Sequence, residues 1–116
     1  MTDNARWVTA LADDELLEGE VLGVEIEGQD ILLVRLIDGP AKAFQGICPH
    51  QGSLLADGDW DMDSNTLVCP SHLWEFDLTN GRGINPENCQ LREYPVRLNG
   101  KWLDIAVPTN TDKVSS

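Results

Sequence analysis

The sequence predicts an all-β protein that folds as a compact antiparallel β-sandwich or barrel. Short runs of alternating polar and apolar residues recur along the chain, and Gly, Asn and Asp residues separate them. Only residues 11–20 have a helical pattern, long enough for one or two turns. The chain has 116 residues, of which 41% are apolar, so we expect one soluble globular domain.

The predicted strands follow from this alternation. Two strands are expected at residues 20–27 and 31–37, with a turn at residues 28–30 between them. Shorter strands at residues 42–47 and 66–69 each lead directly into a cysteine motif. Both motifs are therefore expected on loops that a rigid sheet holds in place.

The clearest hairpin is predicted at residues 93–107. Its turn contains Asn99 and Gly100, a pair that favours the positive φ angles of a type I′ turn. Pro95 has no backbone N–H group and so indicates an edge position in the first arm. The polar residues 109–116 are predicted to be a disordered tail.

The net charge and the N-terminal segment limit the functions that the sequence is compatible with. The net charge is −12, from 20 acidic and 8 basic residues, which disfavours binding to nucleic acid or to anionic membranes. The charge fits either a basic protein partner or a solvated surface that keeps the free protein monomeric. No apolar stretch reaches the length of a transmembrane helix, and no secretory signal is visible in residues 1–20, which lack a basic flank and an apolar segment. We therefore expect a cytoplasmic protein, in which cysteines bind metal more often than they form disulfides.

Two short stretches hold four of the five cysteine and histidine residues. Cys48 and His50 form a Cys-x-His motif, and after eighteen residues Cys69 and His72 form a Cys-x-x-His motif. Two thiolates and two imidazoles suit either tetrahedral zinc or a two-iron cluster. Zinc motifs usually pair like ligands locally, whereas here each loop supplies one Cys and one His. This mixed pairing favours a binuclear cluster with both cysteines on one iron and both histidines on the other.

These motifs, with a proline after each cysteine, resemble those of Rieske [2Fe–2S] proteins. The resemblance implies Cys48 and Cys69 as thiolate ligands and His50 and His72 as imidazole ligands of the cluster. Because neutral imidazole replaces anionic thiolate, such a cluster accepts an electron more readily than one held by four cysteines.

The resemblance also implies the architecture. A Rieske-type antiparallel β-sandwich with a small cluster-binding subdomain is expected over residues 1–108. The cluster-binding loops would lie at about residues 46–55, 69–76 and 81–87.

The sequence departs from the high-potential members of this family at four positions. Ser53 and Ser71 stand where those proteins have a pair of cysteines that form a disulfide beneath the cluster. Trp74 and Phe76 stand where they have hydroxyl side chains that donate hydrogen bonds to the cluster sulfurs. With fewer donors, a reduction potential toward the low end of the Rieske range, roughly −150 mV, is expected.

Residues 7–107 resemble the Rieske ferredoxins of bacterial multicomponent diiron monooxygenases. The likeness is most specific in AFQGICPHQ, HLWEFD and GRGINPENCQLREYPV. It implies that a flavin reductase component takes electrons from NADH and that the ferredoxin passes them to a diiron hydroxylase component, which oxidises an aromatic hydrocarbon or an alkene. No flavin, nicotinamide or mononuclear iron site is visible, so the chain is expected to carry electrons and catalyse nothing alone.

Two alternatives stay open at this point. The first is the ferredoxin of a Rieske aromatic-ring dioxygenase, which has the same cluster but a different terminal oxygenase. The second, from a different class, is an interaction module stabilised by zinc.

The sequence also suggests roles for several further residues around the motifs. Gly46, Gly52 and the glycines at 81 and 83 either let the backbone approach the cluster or serve ordinary turns. Pro86 resembles the proline of the family's third loop and would shield the cluster from water. Cys89 is expected to lie outside the ligand set, as a thiol near the surface or as a small core residue.

Acidic residues lie close to both motifs. They either form a docking rim for a basic partner or belong to a solvated loop. Between the motifs these residues are Asp57, Asp59, Asp61 and Asp63, and beside His72 they are Glu75 and Asp77.

Overall fold

The computed structural model describes residues 5–37, 39–48, 53–70, 74–85, 87 and 89–108. These residues form eleven β-strands in three antiparallel sheets, which confirms the predicted all-β class. The strands are β1 (Ala5–Ala12), β2 (Val21–Ile26), β3 (Gln29–Arg35), β4 (Ala41–Gln45), β5 (Asp59–Asp61), β6 (Thr66–Val68), β7 (Glu75–Asp77), β8 (Arg82–Asn85), β9 (Glu93–Tyr94), β10 (Val96–Asn99) and β11 (Trp102–Pro108).

The three sheets pack as layers with a shared middle sheet. The first sheet has the order β1-β11-β10, the central sheet β2-β3-β4-β9, and the third sheet β5-β6-β7-β8. The third sheet is built from the part of the chain between the two predicted ligand motifs and just after them. It therefore corresponds to the expected small subdomain.

Strand β3 is buried on both faces because it lies between two apolar cores. Ile31 and Leu33 pack in the core shared with the first sheet, and Leu32 and Val34 pack in the core shared with the third. All four side chains are at most 1% exposed. The uninterrupted apolar run of residues 31–34 is typical of such a strand, whereas strict alternation is typical of a half-buried one.

The turns differ from those predicted. The turn between β2 and β3 lies at Glu27 and Gly28, which have φ angles of 53° and 82°, rather than at residues 28–30. In the last hairpin Asn99 pairs with Trp102, and of the turn residues only Gly100 has a positive φ, 65°. A positive φ at the first central residue alone is typical of a type II′ turn, so the predicted type I′ turn is wrong.

The predicted helix at residues 11–20 is also wrong. Residues 5–12 form β1 instead, and only Asp13–Glu15 form a single 3₁₀ turn. Arg35 stabilises this compact bend because its guanidinium donates to the backbone oxygens of Asp13 and Leu16, each at 2.9 Å. These tertiary contacts, which local sequence does not encode, outweigh the helix propensity of the segment.

Other predictions hold with shorter bounds. The strands expected at 42–47 and 66–69 end at Gln45 and Val68, before the cysteines. Pro95 lies between β9 and β10, which are both edge strands, as predicted. The tail at 109–116 lies outside the described residues. The described residues contain no helix that could span a membrane.

Candidate metal centre

The first predicted ligand loop is closed at its base by backbone hydrogen bonds. The Cys48 N–H group donates to the Ser53 carbonyl oxygen at 2.8 Å, and Ile47 and Leu54 form an antiparallel bridge. Next to this bridge, on the side away from the loop, the Leu55 N–H group donates to the Gly46 carbonyl oxygen at 2.8 Å. Cys48 is therefore held at a fixed position where the loop leaves the sheet.

The second predicted ligand loop has the same closure. It connects β6 to β7, and the Cys69 N–H group donates to the Trp74 carbonyl oxygen at 2.7 Å. In both loops the cysteine N–H group thus bonds the carbonyl of the fifth residue after it. This shared geometry presents Cys48 and Cys69 in equivalent backbone positions at the start of two loops.

A third loop follows β8 and is closed in a similar way. The Gly83 N–H group donates to the Cys89 carbonyl oxygen, and the Leu91 N–H group donates to that of Gly81, both at 2.8 Å. Gly81 has a φ of +78°, and a Cβ atom there would lie 2.9 Å from the Phe44 ring. Gly81 is therefore required both for the turn and for the approach of this loop to the core.

The two cysteines of the motifs are buried in one apolar core. Cys48 is 1% exposed and Cys69 is fully buried, and both belong to the core between the central and third sheets. None of the three cysteines, all of which are described, forms a disulfide bond. A buried thiolate is costly unless a cation compensates it, so two buried thiols in the same apolar core are compatible with the sulfur side of a metal centre.

His50 and His72 lie outside the described residues, as do Gly52, Ser71 and Pro86. Among the residues that the structure does describe, no group of three or more His, Cys, Asp or Glu side chains could hold a metal ion. The imidazole ligands therefore stay a prediction from the motifs.

The structure assigns roles to neighbouring residues. A Cβ atom at Gly46 would lie 2.7 Å from the Asp30 carbonyl carbon, so this glycine permits contact with the backbone of β3. Phe76 is fully buried, and Trp74 packs partly buried against the same core. Ser53 is half-buried and supplies its carbonyl oxygen to close the first loop.

Gly58 has a structural role that no sequence motif predicts. A Cβ atom there would lie 2.1 Å from the Val68 carbonyl oxygen, immediately before Cys69. Its φ of −82° is ordinary, so space rather than backbone conformation requires glycine. Local sequence carries no signal for a contact of this kind, because it depends on how two distant segments pack.

Cys89 is half-buried beside the same core. It is packed against the apolar cluster that contains Cys48 and Cys69, and burial raises the pKa of its thiol. It therefore stays a neutral thiol at physiological pH. The structure combines the two readings of this residue, since it is a small side chain at the edge of the core.

The acidic residues between the motifs are exposed, but not all of them lie in a loop. Asp59 and Asp61 flank Trp60 in β5, which is an edge strand of the third sheet, and both side chains point outward. Asp57 and Asp63 are also exposed. Asp77 is half-buried, and its carboxylate accepts hydrogen bonds from the N–H and hydroxyl groups of Thr79, so it stabilises a turn.

Comparison with known proteins identifies one family and several relatives of this chain. The family model described as the Rieske [2Fe-2S] domain matches residues 6–95. The chain is 36% identical over 98 residues to the ferredoxin component of the alkene monooxygenase system of Xanthobacter autotrophicus, covering 84% of this chain and 79% of that protein. It is 32% identical over 101 residues to the ferredoxin component of the naphthalene 1,2-dioxygenase system of Pseudomonas aeruginosa, covering 86% and 94%.

A solved structure shares the fold. The ferredoxin of carbazole 1,9a-dioxygenase from Nocardioides aromaticivorans matches with a TM-score of 0.75 and 24% identity, covering 89% of this chain and 98% of that one. At this level of identity the similarity shows the architecture alone.

Proposed function

Because this chain belongs to the Rieske [2Fe-2S] domain family, we propose that it carries single electrons from an NADH-dependent flavin reductase to the diiron hydroxylase of a hydrocarbon monooxygenase. A Rieske [2Fe–2S] cluster is its cofactor. When bound, the cluster supplies reversible one-electron chemistry at a potential that its mixed ligation sets. The chain itself is an electron-transfer component and not a catalytic subunit.

The observation that carries the proposal is the paired geometry of Cys48 and Cys69. Both lie at the start of loops closed in the same way, and both side chains are buried in one apolar core. Thiolate ligands that are buried and held by a fixed backbone should move little when the cluster gains or loses an electron. The predicted partners of these thiolates are the imidazoles of His50 and His72.

The ligand set can be tested by substitution. His72→Cys adds one negative charge to the cluster, so the reduction potential should fall from the Rieske range toward the roughly −400 mV of clusters held by four cysteines. Cluster retention should also be poorer. Voltammetry and the EPR spectrum of the reduced protein measure both effects. An unchanged potential would contradict His72 as a ligand.

The terminal acceptor can be tested by reconstitution. The purified ferredoxin, a flavin reductase and NADH should support turnover of a diiron hydroxylase on an aromatic hydrocarbon or an alkene. The similarity to the alkene monooxygenase ferredoxin supports this acceptor. Omission of the ferredoxin is the control and should abolish product formation.

A ring dioxygenase is the second candidate acceptor. The similarity to the naphthalene 1,2-dioxygenase ferredoxin favours it, since it extends over a comparable part of the chain. Turnover of a ring dioxygenase without turnover of any diiron hydroxylase in the same assay would replace the first proposal with this one. We further propose that the free protein is a cytoplasmic monomer, which sedimentation and cell fractionation would test.

A further inference from the structure

Gln45, the last residue of β4, makes three hydrogen bonds immediately before the first ligand loop. Its side-chain Nε2 donates to the Ile47 carbonyl oxygen at 2.8 Å, and its Oε1 accepts from the Arg92 N–H group at 2.7 Å. Its backbone N–H group also donates to the Arg92 carbonyl oxygen at 2.8 Å. The amide side chain thus uses both its donor and its acceptor on backbone groups.

The first of these bonds acts on the peptide unit that leads into Cys48. The Ile47 carbonyl and the Cys48 N–H group belong to the same peptide plane. Gln45 holds the carbonyl end of that plane, and the Ser53 carbonyl oxygen holds the N–H end. With both ends fixed, the plane has little freedom to rotate, so the direction of the Cys48 Cα–Cβ bond is set.

The equivalent peptide of the second loop needs no such side chain. Val68, which precedes Cys69, is still inside β6 and is paired with Asp59 and Glu75 on either side. Strand β4 ends at Gln45, so Ile47 lacks strand neighbours of this kind and has one isolated bridge to Leu54. The Gln45 side chain therefore restrains the peptide before Cys48, as strand pairing restrains the peptide before Cys69.

The two bonds between Gln45 and Arg92 connect the first ligand loop to the third loop. Leu91, the residue before Arg92, closes that loop through its bond to Gly81. Gln45 therefore joins the base of the first ligand loop to the return segment of the third. This connection would let the two loops keep a common position over the core.

From this geometry we propose that Gln45 is a positioning residue for Cys48 and that it tunes the electronic structure and retention of the cluster. The inference rests on the proposed role of Cys48 as a ligand. Gln45 would act through the Ile47–Cys48 peptide, without contact to iron or to a redox partner. It is therefore distinct from the four predicted ligands.

The test compares two substitutions of Gln45 with a matched control. Gln45→Met is neutral and similar in length but removes both side-chain bonds, whereas Gln45→Glu keeps an acceptor for Arg92 and loses the donor to Ile47. Gln90→Met is the control, because the Gln90 side chain also makes two bonds to backbone groups, from Nε2 to the carbonyl oxygens of Asn80 at 2.9 Å and Leu91 at 3.3 Å, but neither bond is to a peptide that contains a predicted ligand. The readouts are the EPR g values of the reduced cluster, the rate of cluster loss to a chelator, and the melting temperature.

Both Gln45 variants should shift the EPR g values and lose the cluster roughly tenfold faster, as expected when an outer partner of a metal ligand is removed. Gln90→Met should match the wild type in both readouts. Wild-type EPR and wild-type cluster loss in Gln45→Met would overturn the proposal, whatever its melting temperature. If neither variant folds, hydrogen exchange of the wild-type protein tests the proposal instead. An Arg92 amide that exchanges without protection would show that its bond to Gln45 Oε1 is absent and would overturn the proposal. The EPR g values and the rate of cluster loss report on the cluster and not on turnover. A negative result in them is therefore distinct from a negative result in the reconstituted turnover assay.

Discussion

The Trp60 side chain donates a hydrogen bond from Nε1 to the Gly19 carbonyl oxygen at 2.9 Å. This bond joins the edge strand of the third sheet to the segment that precedes β2. Trp60 is half-buried and packs against the core that contains both motif cysteines. The contact therefore fixes the small subdomain to the rest of the protein.

Trp60→Phe should destabilise the fold by about 1 kcal/mol, the typical net value of one hydrogen bond. The phenyl ring keeps most of the packing but leaves the Gly19 carbonyl without this donor. Thermal unfolding measures the loss. Trp102→Phe is the matched control and should change stability by less than about 0.5 kcal/mol, because Trp102 is 43% exposed. Equal effects of the two substitutions would argue against the role of the Trp60 bond.

Gly58→Ala should destabilise the protein by about 2 kcal/mol or more and lower its iron content. The added methyl group would meet the Val68 carbonyl oxygen, and the backbone shift that relieves this clash is transmitted to Cys69. Calorimetry and iron and sulfide analysis measure both effects. Gly28→Ala provides the comparison: its φ is +82° with open space around it, so it should cost about 1 kcal/mol of backbone strain and leave the iron content unchanged.

Asp104 should make the stability of the fold depend on acid pH. Its carboxylate accepts hydrogen bonds from Thr9 at 2.8 Å and from Asn99 and Arg97 at 3.2 Å, and these partners, Thr9 above all, hold its pKa below the ordinary value. The stabilisation is therefore complete above the unfolded pKa of about 3.9 and is lost as pH falls through the lower folded value.

The matching experiment compares the wild type with Asp104→Asn. The wild type should melt at a higher temperature at neutral pH, and the difference should shrink below about pH 4 as the carboxylate becomes protonated. Thr9→Val should raise the pKa of Asp104, which an NMR titration of the carboxyl carbon would detect. A stability gap that stays constant through the acid range would contradict this assignment.

Cys89 should react slowly with iodoacetamide at neutral pH. Burial raises the pKa of its thiol, so the reactive thiolate is scarce near pH 7 and becomes abundant only as pH rises. Mass spectrometry of the cluster-loaded protein measures the alkylation rate against pH, and the same protein in denaturant serves as the control. Rapid labelling of the native protein near pH 7 would show that the thiol is not shielded.

The outward carboxylates of β5 offer a test of the docking rim. If a basic partner binds there, the double substitution Asp59→Asn and Asp61→Asn should slow electron transfer at low salt and flatten its dependence on ionic strength. Asp14→Asn with Glu25→Gln removes the same charge from exposed positions outside the third sheet. Identical rate profiles for the two double variants would favour a merely solvated surface.

The sequence predicted the fold class and the motifs because both depend on local pattern. Short apolar runs bounded by turn residues indicated β2, β3 and β4, and the Cys-x-His and Cys-x-x-His spacings indicated the two loops. Residues whose role depends on distant partners were not predicted. Arg35 converts the expected helix into one 3₁₀ turn, Gly58 makes room for Val68, and Gln45 reaches from one loop base to another. Such contacts become visible only when segments far apart in the chain are placed together.

The pairing of β1 with β11 bears on how the protein is made in the cell. Ala5 lies opposite Pro108, so β1 pairs with a strand that is separated from it in the chain by β2 to β10. The hairpin of β2 and β3 can form early, but β1 can pair only after the intervening chain and β11 have been synthesised, and its apolar side chains stay uncovered until then. Such late closure slows folding and exposes the nascent chain to aggregation. We therefore expect the yield of protein in cells to depend strongly on chaperones and growth temperature.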